Sequence, residues 1–196
     1  MITIIDYGAG NLRSIRRAIE EHGADVEISG DPERISSAEK LVLPGVGNAK
    51  AAMKQLHATG IADAVTGQVR QGTPLLGVCL GMQLLFGEQE EGPTTGLSLL
   101  DGDVVRLPAD HKIPHMGWNN VEFTEDSPLA DLPSSAFYFV HSYYVRPTNP
   151  SEIAAVTNYG ERFASVVIRD NIWGMQFHPE KSHQAGLNLI GQWLRT

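Results

Sequence analysis

The chain of 196 residues contains a single thiol, Cys79, and its neighbours are those of a nucleophile. It lies in Gly77-Val78-Cys79-Leu80-Gly81-Met82-Gln83, between an all-apolar run and the start of a helical pattern. A sharp strand-to-helix turn lifts a nucleophile above a sheet edge, and glycines two residues to either side leave room that a Cβ would fill. The start of a helix carries partial positive charge, which favours thiolate over thiol. The N–H of Leu80 points into the same space and can hold an oxyanion. The plainer reading of a lone cysteine is a small core residue; the elbow pattern argues against it here.

A thiol nucleophile needs a base, and the base needs a group that orients it. Seven histidines are available: His22, His57, His111, His115, His141, His178 and His183. His178 stands out in Phe177-His178-Pro179-Glu180. Pro179 biases His178 toward extended backbone. In extended chain, residues 178 and 180 face one side with Cα atoms roughly 6.6 Å apart, so Glu180 can fix the imidazole tautomer. A second oxyanion donor is expected from Pro44-Gly45-Val46-Gly47, where two glycines flank one β-branched residue and allow unusual peptide orientations. Two other motifs fail on inspection. Gly8-Ala9-Gly10-Asn11-Leu12-Arg13 begins like a dinucleotide fingerprint but has Arg13 at the third glycine position. His178-Pro179-Glu180 echoes a zinc deaminase motif whose Pro-Cys-x-x-Cys partner is missing. Neither a cofactor nor a metal is expected.

These residues must be positioned by the elements around them. The first half alternates strand and helix patterns. Ile2–Asp6 reads as a strand, then Leu12, Ile15, Ile19 and His22 recur at helical spacing behind a capping Asn11, and Gly23 ends the helix. Asp25–Ile28 is a second strand, Asp31-Pro32-Glu33 opens a short helix, and Lys40–Leu43 is a third strand. Amphipathic stretches occupy about Ala49–His57 and Ile61–Gln71, then Pro74–Val78 is apolar throughout, as in a strand buried on both faces. From about Asp101 the segments shorten: Val104–Leu107, Asn120–Phe123, Phe137–Val140, Tyr143–Arg146, Ile153–Thr157, Ala164–Ile168 and Ile172–Gln176. Such spacing predicts antiparallel pairs laid onto or beside the first sheet. A closing helix, about Gln184–Leu194, carries Leu187, Ile190 and Leu194 on one stripe. The expectation is a single α/β domain over residues 1–196, with a mixed, mostly parallel sheet flanked by helices and antiparallel strands in the second half.

Composition agrees. Apolar residues make up 42% and charged residues 19%, which suits a compact chain and not a disordered one. The net charge is −8 and no Lys/Arg run exceeds Arg16-Arg17, which argues against a nucleic-acid binder. The N-terminus lacks a basic region and reaches Asp6 after a short apolar run, unlike a signal peptide. The longest weakly polar run, Pro74–Gly87, falls short of the ~20 residues a membrane span needs. One cysteine makes no internal disulfide, so a reducing, cytoplasmic setting is expected.

The elbow, the Phe-His-Pro-Glu pair and the Pro-Gly-Val-Gly loop together resemble the class I (triad) glutamine amidotransferases. Tyr7-Gly8-Ala9-Gly10-Asn11, Pro114-His115-Met116-Gly117-Trp118-Asn119 and Phe139-Val140-His141-Ser142-Tyr143 resemble one branch of that family, the glutaminase subunits of imidazole glycerol phosphate synthases in histidine biosynthesis. The likeness runs from residue 2 to the final helix. It implies the family's flavodoxin-like fold and a Cys79–His178–Glu180 triad that hydrolyses glutamine through a cysteinyl thioester. It implies an oxyanion hole of Leu80 N–H with peptides around Gly45 and Val46, and a glutamine pocket of Gly47, Gln83, Ser142 and Tyr143. His141 is then structural and not a rival base. It further implies a heterodimer with a HisF-type (β/α)8 cyclase that receives the ammonia, docked over Trp118, Asn119, Tyr138 and Lys181. From the residues alone two other readings stay open: a free-standing cysteine hydrolase, and a binding subunit whose triad is unused.

Overall fold

The computed structural model describes residues 1–196. The first half alternates as expected: β1 (Ile2–Ile5), α1 (Leu12–Glu20), β2 (Val26–Ser29), α2 (Pro32–Ile35), β3 (Lys40–Gly45), α3 (Ala49–Ala58), α4 (Ile61–Arg70) and β4 (Leu75–Cys79). The helix starts have local chemical causes. Asn11 caps α1 by accepting the Ser14 N–H, Asp31 caps α2 by accepting the Glu33 N–H ahead of Pro32, and Asn48 caps α3 by accepting the Ala51 N–H. Gly23 takes φ +76° beyond the end of α1.

Cys79 ends β4 and α5 (Leu80–Gln83) begins on the next residue. Then come β5 (Phe86–Gln89), β6 (Thr94–Thr95), β7 (Leu100–Arg106), β8 (His115–Phe123), β9 (Ser135–His141), β10 (Tyr143–Pro147), β11 (Ile153–Tyr159), β12 (Glu161–Arg169), β13 (Ile172–Met175) and α6 (His183–Leu194). The main sheet has nine strands in the order β2-β1-β3-β4-β13-β12-β11-β8-β9. Its first five strands are mutually parallel, and from β13 outward every pairing is antiparallel. The last strand of the chain, β13, thus inserts beside β4, so the segment from Gln176 to Glu180 emerges next to the cysteine.

Alternation along the central strands sends side chains to two cores. Leu41, Leu43 and Leu75 pack with α3 and α4 on one face. Val42, Leu76 and Val78 pack with α1 and α6 on the other. The stripe on α6 differs from the expected one. Gly186, Leu189, Ile190, Gly191 and Trp193 are the buried set, while Leu187 and Leu194 lie at its flanks, because the fully buried Trp193 ring turns that side of the helix inward. In the second half antiparallel pairs lie both on and beside the main sheet, as expected. β7 and β10 leave the main sheet and form a separate four-stranded sheet, β10-β7-β5-β6, in which β5 and β7 run parallel. β5 and β6 carry no alternating pattern: Phe86-Gly87-Glu88-Gln89 and Thr94-Thr95 are too short to show one.

Candidate active site

The parallel strands end together, and three of those ends build the site. β4 delivers Cys79 in a strained backbone, φ 56° and ψ −112°, a region L-residues occupy only when their surroundings impose it. The glycines explain how. A Cβ on Gly81 would collide with the Leu43 carbonyl of β3, and one on Gly77 would come within 2.9 Å of the Gly81 backbone. The turn is tight enough that only glycine fits at either place. Cys79 is 5% exposed and its Sγ lies 3.7 Å from the Val140 carbonyl of β9. The first turn of α5 leaves the Leu80 N–H without a partner inside its own helix.

On one side β3 runs alongside β4, with Gly45 in register with Cys79. The sequence places Gly45 in a loop at the oxyanion site. It is instead the buried last residue of β3, packed against Tyr7 Oη, Leu80 and Gly81, and it does not line the cavity. Tyr7 donates from its hydroxyl to the Pro44 carbonyl at 3.0 Å, which holds the end of the strand. Burial, with the charge of Cys79 beside it, raises the Tyr7 phenol far above its ordinary range, so it remains a donor. The exposed part of Pro-Gly-Val-Gly is therefore Val46-Gly47: Val46 is 46% exposed and Gly47 takes φ +96°.

On the other side β13 brings in His178. Its backbone N–H donates to the Tyr138 carbonyl at 2.9 Å, and its carbonyl accepts from Ser182 Oγ at 2.6 Å. Its Nδ1 lies 2.9 Å from Glu180 Oε1, and both side chains are buried. The approach differs from the extended one expected. His178 is extended, but Pro179–Lys181 curl into one 3-10 turn whose first position suits proline, and the turn swings the carboxylate back under the ring. A carboxylate only accepts, so Nδ1 carries a hydrogen and Nε2 is left for the cavity. Burial by itself pulls the His178 imidazole down. Interaction with Cys79 and the hydrogen bond to Glu180 outweigh it and push the group up to about 10. Such a histidine holds its proton across the neutral range beside the Cys79 sulfur.

The cavity over these ends has a volume of about 250 Å³. Of the residues expected there, Cys79, His178, Leu80, Val46, Gly47, Gln83, Ser142 and Tyr143 all line it. Lys181, expected at a partner interface, lines it as well, with Nζ 5.8 Å over the Tyr138 ring. Trp118 and Tyr138 are cross-strand neighbours on one face of β8 and β9, while Asn119 lies on the opposite face. His141 lines the cavity but is tied up, its Nδ1 donating to the Tyr143 carbonyl at 2.8 Å. Burial pushes it down to about 3, which favours the neutral ring. Sequence reasoning missed Glu91, which lines the cavity while its carboxylate accepts the Ala49 N–H at the start of α3. In Glu88-Gln89-Glu90-Glu91 it looks like any solvated acidic turn, and only the packing of that turn over α3 singles it out.

Comparison with known proteins agrees with this geometry. The family model for glutamine amidotransferase class-I matches residues 3–193. The imidazole glycerol phosphate synthase subunit HisH of Geobacillus thermodenitrificans is 48% identical, over 99% of this chain and 95% of that protein. HisH of Methanothermobacter thermautotrophicus is 46% identical, over 97% and 96%. Among solved structures, one described as a glutamine amidotransferase superposes with a TM-score of 0.76 at 23% identity, covering 97% of this chain and 98% of that one. PurLQS from Thermotoga maritima gives 0.75 at 18%, covering 99% and 97%. At those identities the two structures speak for the fold. The family profile spans almost the whole chain and relatives are nearly half identical along their full length: the chain belongs to the class I glutamine amidotransferases.

Proposed function

We propose that the chain is the glutaminase subunit of an imidazole glycerol phosphate synthase, acting as one domain over residues 1–196. The observation that carries the reading is the convergence of Cys79, from the end of β4, with the His178–Glu180 pair, from beyond β13, on one cavity. The Cys79 thiolate attacks the side-chain amide carbon of glutamine. The oxyanion that forms is held by the Leu80 N–H and by a peptide at Val46-Gly47, with Gly45 anchoring that loop from beneath. His178 gives its proton to the departing nitrogen, and ammonia leaves as a glutamyl thioester forms on Cys79. Glu180 holds the ring in the tautomer that faces Nε2 toward the sulfur. Water, deprotonated by the now neutral His178, attacks the thioester and releases glutamate and the free thiol.

Gly47, Gln83, Ser142 and Tyr143 wall the glutamine pocket, and Glu91 supplies the countercharge for the substrate's α-ammonium group. Ammonia in neutral water is mostly ammonium and no nucleophile, so it must pass directly to its acceptor. A docked HisF-type (β/α)8 cyclase would take it and form imidazole glycerol phosphate and an aminoimidazole carboxamide ribotide. Trp118, Tyr138 and Lys181 present an aromatic and cationic face beside the cavity for that partner, with Asn119 supporting β8 from behind. No helix is long and apolar enough to cross a membrane, and a reactive lone thiol fits a reducing, cytoplasmic setting. The test is Cys79→Ala. Glutamine-dependent synthesis by the complex should vanish while synthesis from added ammonium salt persists. Glutamine turnover by that variant, or loss of both activities, would overturn the reading.

A further inference from the structure

Behind the cavity lies a row of polar groups, half-buried at Asn119 and buried at His115, His141, Gln83 and Gln176, whose hydrogens can be placed from both ends. It starts at Asn119 on β8. The Asn120 N–H donates to Asn119 Oδ1 at 2.8 Å, so the other end of that amide is its NH2. The NH2 donates to the Asn158 carbonyl at 3.0 Å and to His115 Nε2 at 3.2 Å. His115 therefore carries its hydrogen on Nδ1, which donates to His141 Nε2 at 2.8 Å. His141 in turn carries its hydrogen on Nδ1, which donates to the Tyr143 carbonyl. The far end demands the same assignment. A backbone carbonyl only accepts, which puts a hydrogen on His141 Nδ1, frees His141 Nε2 to accept, and so fixes His115 as well.

The Tyr143 carbonyl takes a second donor, Gln83 Nε2, at 2.9 Å, and the remaining hydrogen of that amide goes to Gln176 Oε1 at 3.0 Å. Both hydrogens of Gln83 are thus used inside the protein, and Oε1 is the end left for the cavity, as an acceptor. His115 itself does not line the cavity. It is clamped between the rings of Phe139 and Tyr159, with centroids 4.8 and 3.9 Å away. Burial pushes His115 down to about 4, as it does His141, so neither ring takes a second proton that would reverse a bond in the row.

We propose that His115 is a positioning residue for glutamine recognition: through His141 and the Tyr143 carbonyl it holds Gln83 with Oε1 turned toward the substrate's N–H groups. The proposal rests on the glutaminase reading above. Without the His115 donor, His141 Nε2 is a buried acceptor with no partner, and its ring gains by turning. The Tyr143 carbonyl then loses the donor that fixes its direction, and as that peptide shifts the Gln83 amide it anchors is held less firmly with Oε1 toward the ligand's N–H groups. That penalises binding more than chemistry.

Two substitutions separate the hydrogen bond from the packing. His115→Phe keeps the aromatic stack and removes the donor. His115→Asn removes the stack but places an amide N–H near the former Nδ1. In the full chain with its cyclase partner, H115F should raise KM for glutamine about tenfold, the cost of roughly one hydrogen bond, with kcat within about twofold. H115N should stay within about threefold of the native KM. Nitrogen NMR of the native chain, which needs no variant to fold, should show His141 protonated on Nδ1 and bare on Nε2. The proposal fails if that tautomer is reversed, if H115F leaves KM unchanged, or if H115N is impaired as much as H115F. A native complex that turns over no glutamine would instead sink the functional reading, and the two failures are thereby distinct.

Discussion

Opposing physical effects meet at His178. Burial disfavours its charged form, while Cys79 and Glu180 both favour it, and the partners win, leaving the imidazole at about 10. The sign has two consequences. A histidine whose folded value lies above its unfolded value of about 6.5 binds more protons folded than unfolded between those limits. Its stabilising contribution is therefore complete below about pH 6.5 and is lost as pH rises through about 10. The proton needed by the leaving nitrogen likewise stays available to the same upper limit. In Glu180→Gln one of the two supporting partners loses its charge and burial counts for more, so the imidazole releases its proton at lower pH. The alkaline limb of the kcat profile should move toward neutrality, with kcat falling roughly 100-fold, the low end of what general acid–base groups contribute. The stability advantage of native over variant should shrink as pH is raised toward about 10. A pH–rate profile for E180Q with its alkaline limb unmoved would show that Glu180 does not govern the proton on His178.

At the scale of elements, the site depends on how closely β3, β4 and α5 approach. Gly81 sits against the Leu43 carbonyl with no room for a Cβ, and both belong to backbone that is hydrogen-bonded or helical and cannot retreat. Gly81→Ala should cost about 3 kcal/mol or more, as overpacking of rigid parts does. For a chain of this size that lowers Tm by at least about 6 °C. Gly47→Ala meets open space and only a positive φ, so it should unfold within a few degrees of the native chain while weakening glutamine turnover. Melting curves of the two variants that coincide would contradict this division between a structural and a functional glycine. Much of this arrangement is legible in the sequence, for reasons that are themselves local. The elbow glycines, the Asn11 and Asp31 caps and the apolar run of β4 act on their immediate neighbours, so their types reveal them. Gly45 is misplaced by sequence reasoning, because whether β3 stops at Leu43 or runs on to pair with Cys79 is decided by the neighbouring strand. The second sheet and Glu91 are hidden for the same reason: β5 and β6 owe their pairing to β7, not to any pattern of their own.

At the scale of the whole molecule, exposure is distributed unevenly. Four large apolar side chains are substantially exposed: Met1, Val46, Met116 and Trp118. Val46 lines the cavity, and Met116 and Trp118 share a face of the β8–β9 pair with Val140, which also lines it. Trp118 is 49% exposed, stacked flat on His183 at 4.9 Å and edge-on to Tyr138 at 5.9 Å. An aromatic side chain already held rigid by its neighbours loses little entropy when a second surface covers it, which is what makes such groups energetic anchors. This is also the face through which ammonia would have to leave without meeting bulk water, so the proposed cyclase must cover it. Trp118→Ala should therefore weaken association with the cyclase by about 1.4 to 2.8 kcal/mol, or roughly tenfold to a hundredfold in Kd. Because the ring packs on the surface and not in either core, Tm of the isolated chain should change by no more than about 4 °C. Titration calorimetry of the two subunits together with a melting curve of the variant alone tests both halves of the argument. Native affinity in W118A would remove the docking face from the cavity mouth, and a collapsed Tm would make the residue part of the fold and not of an interface.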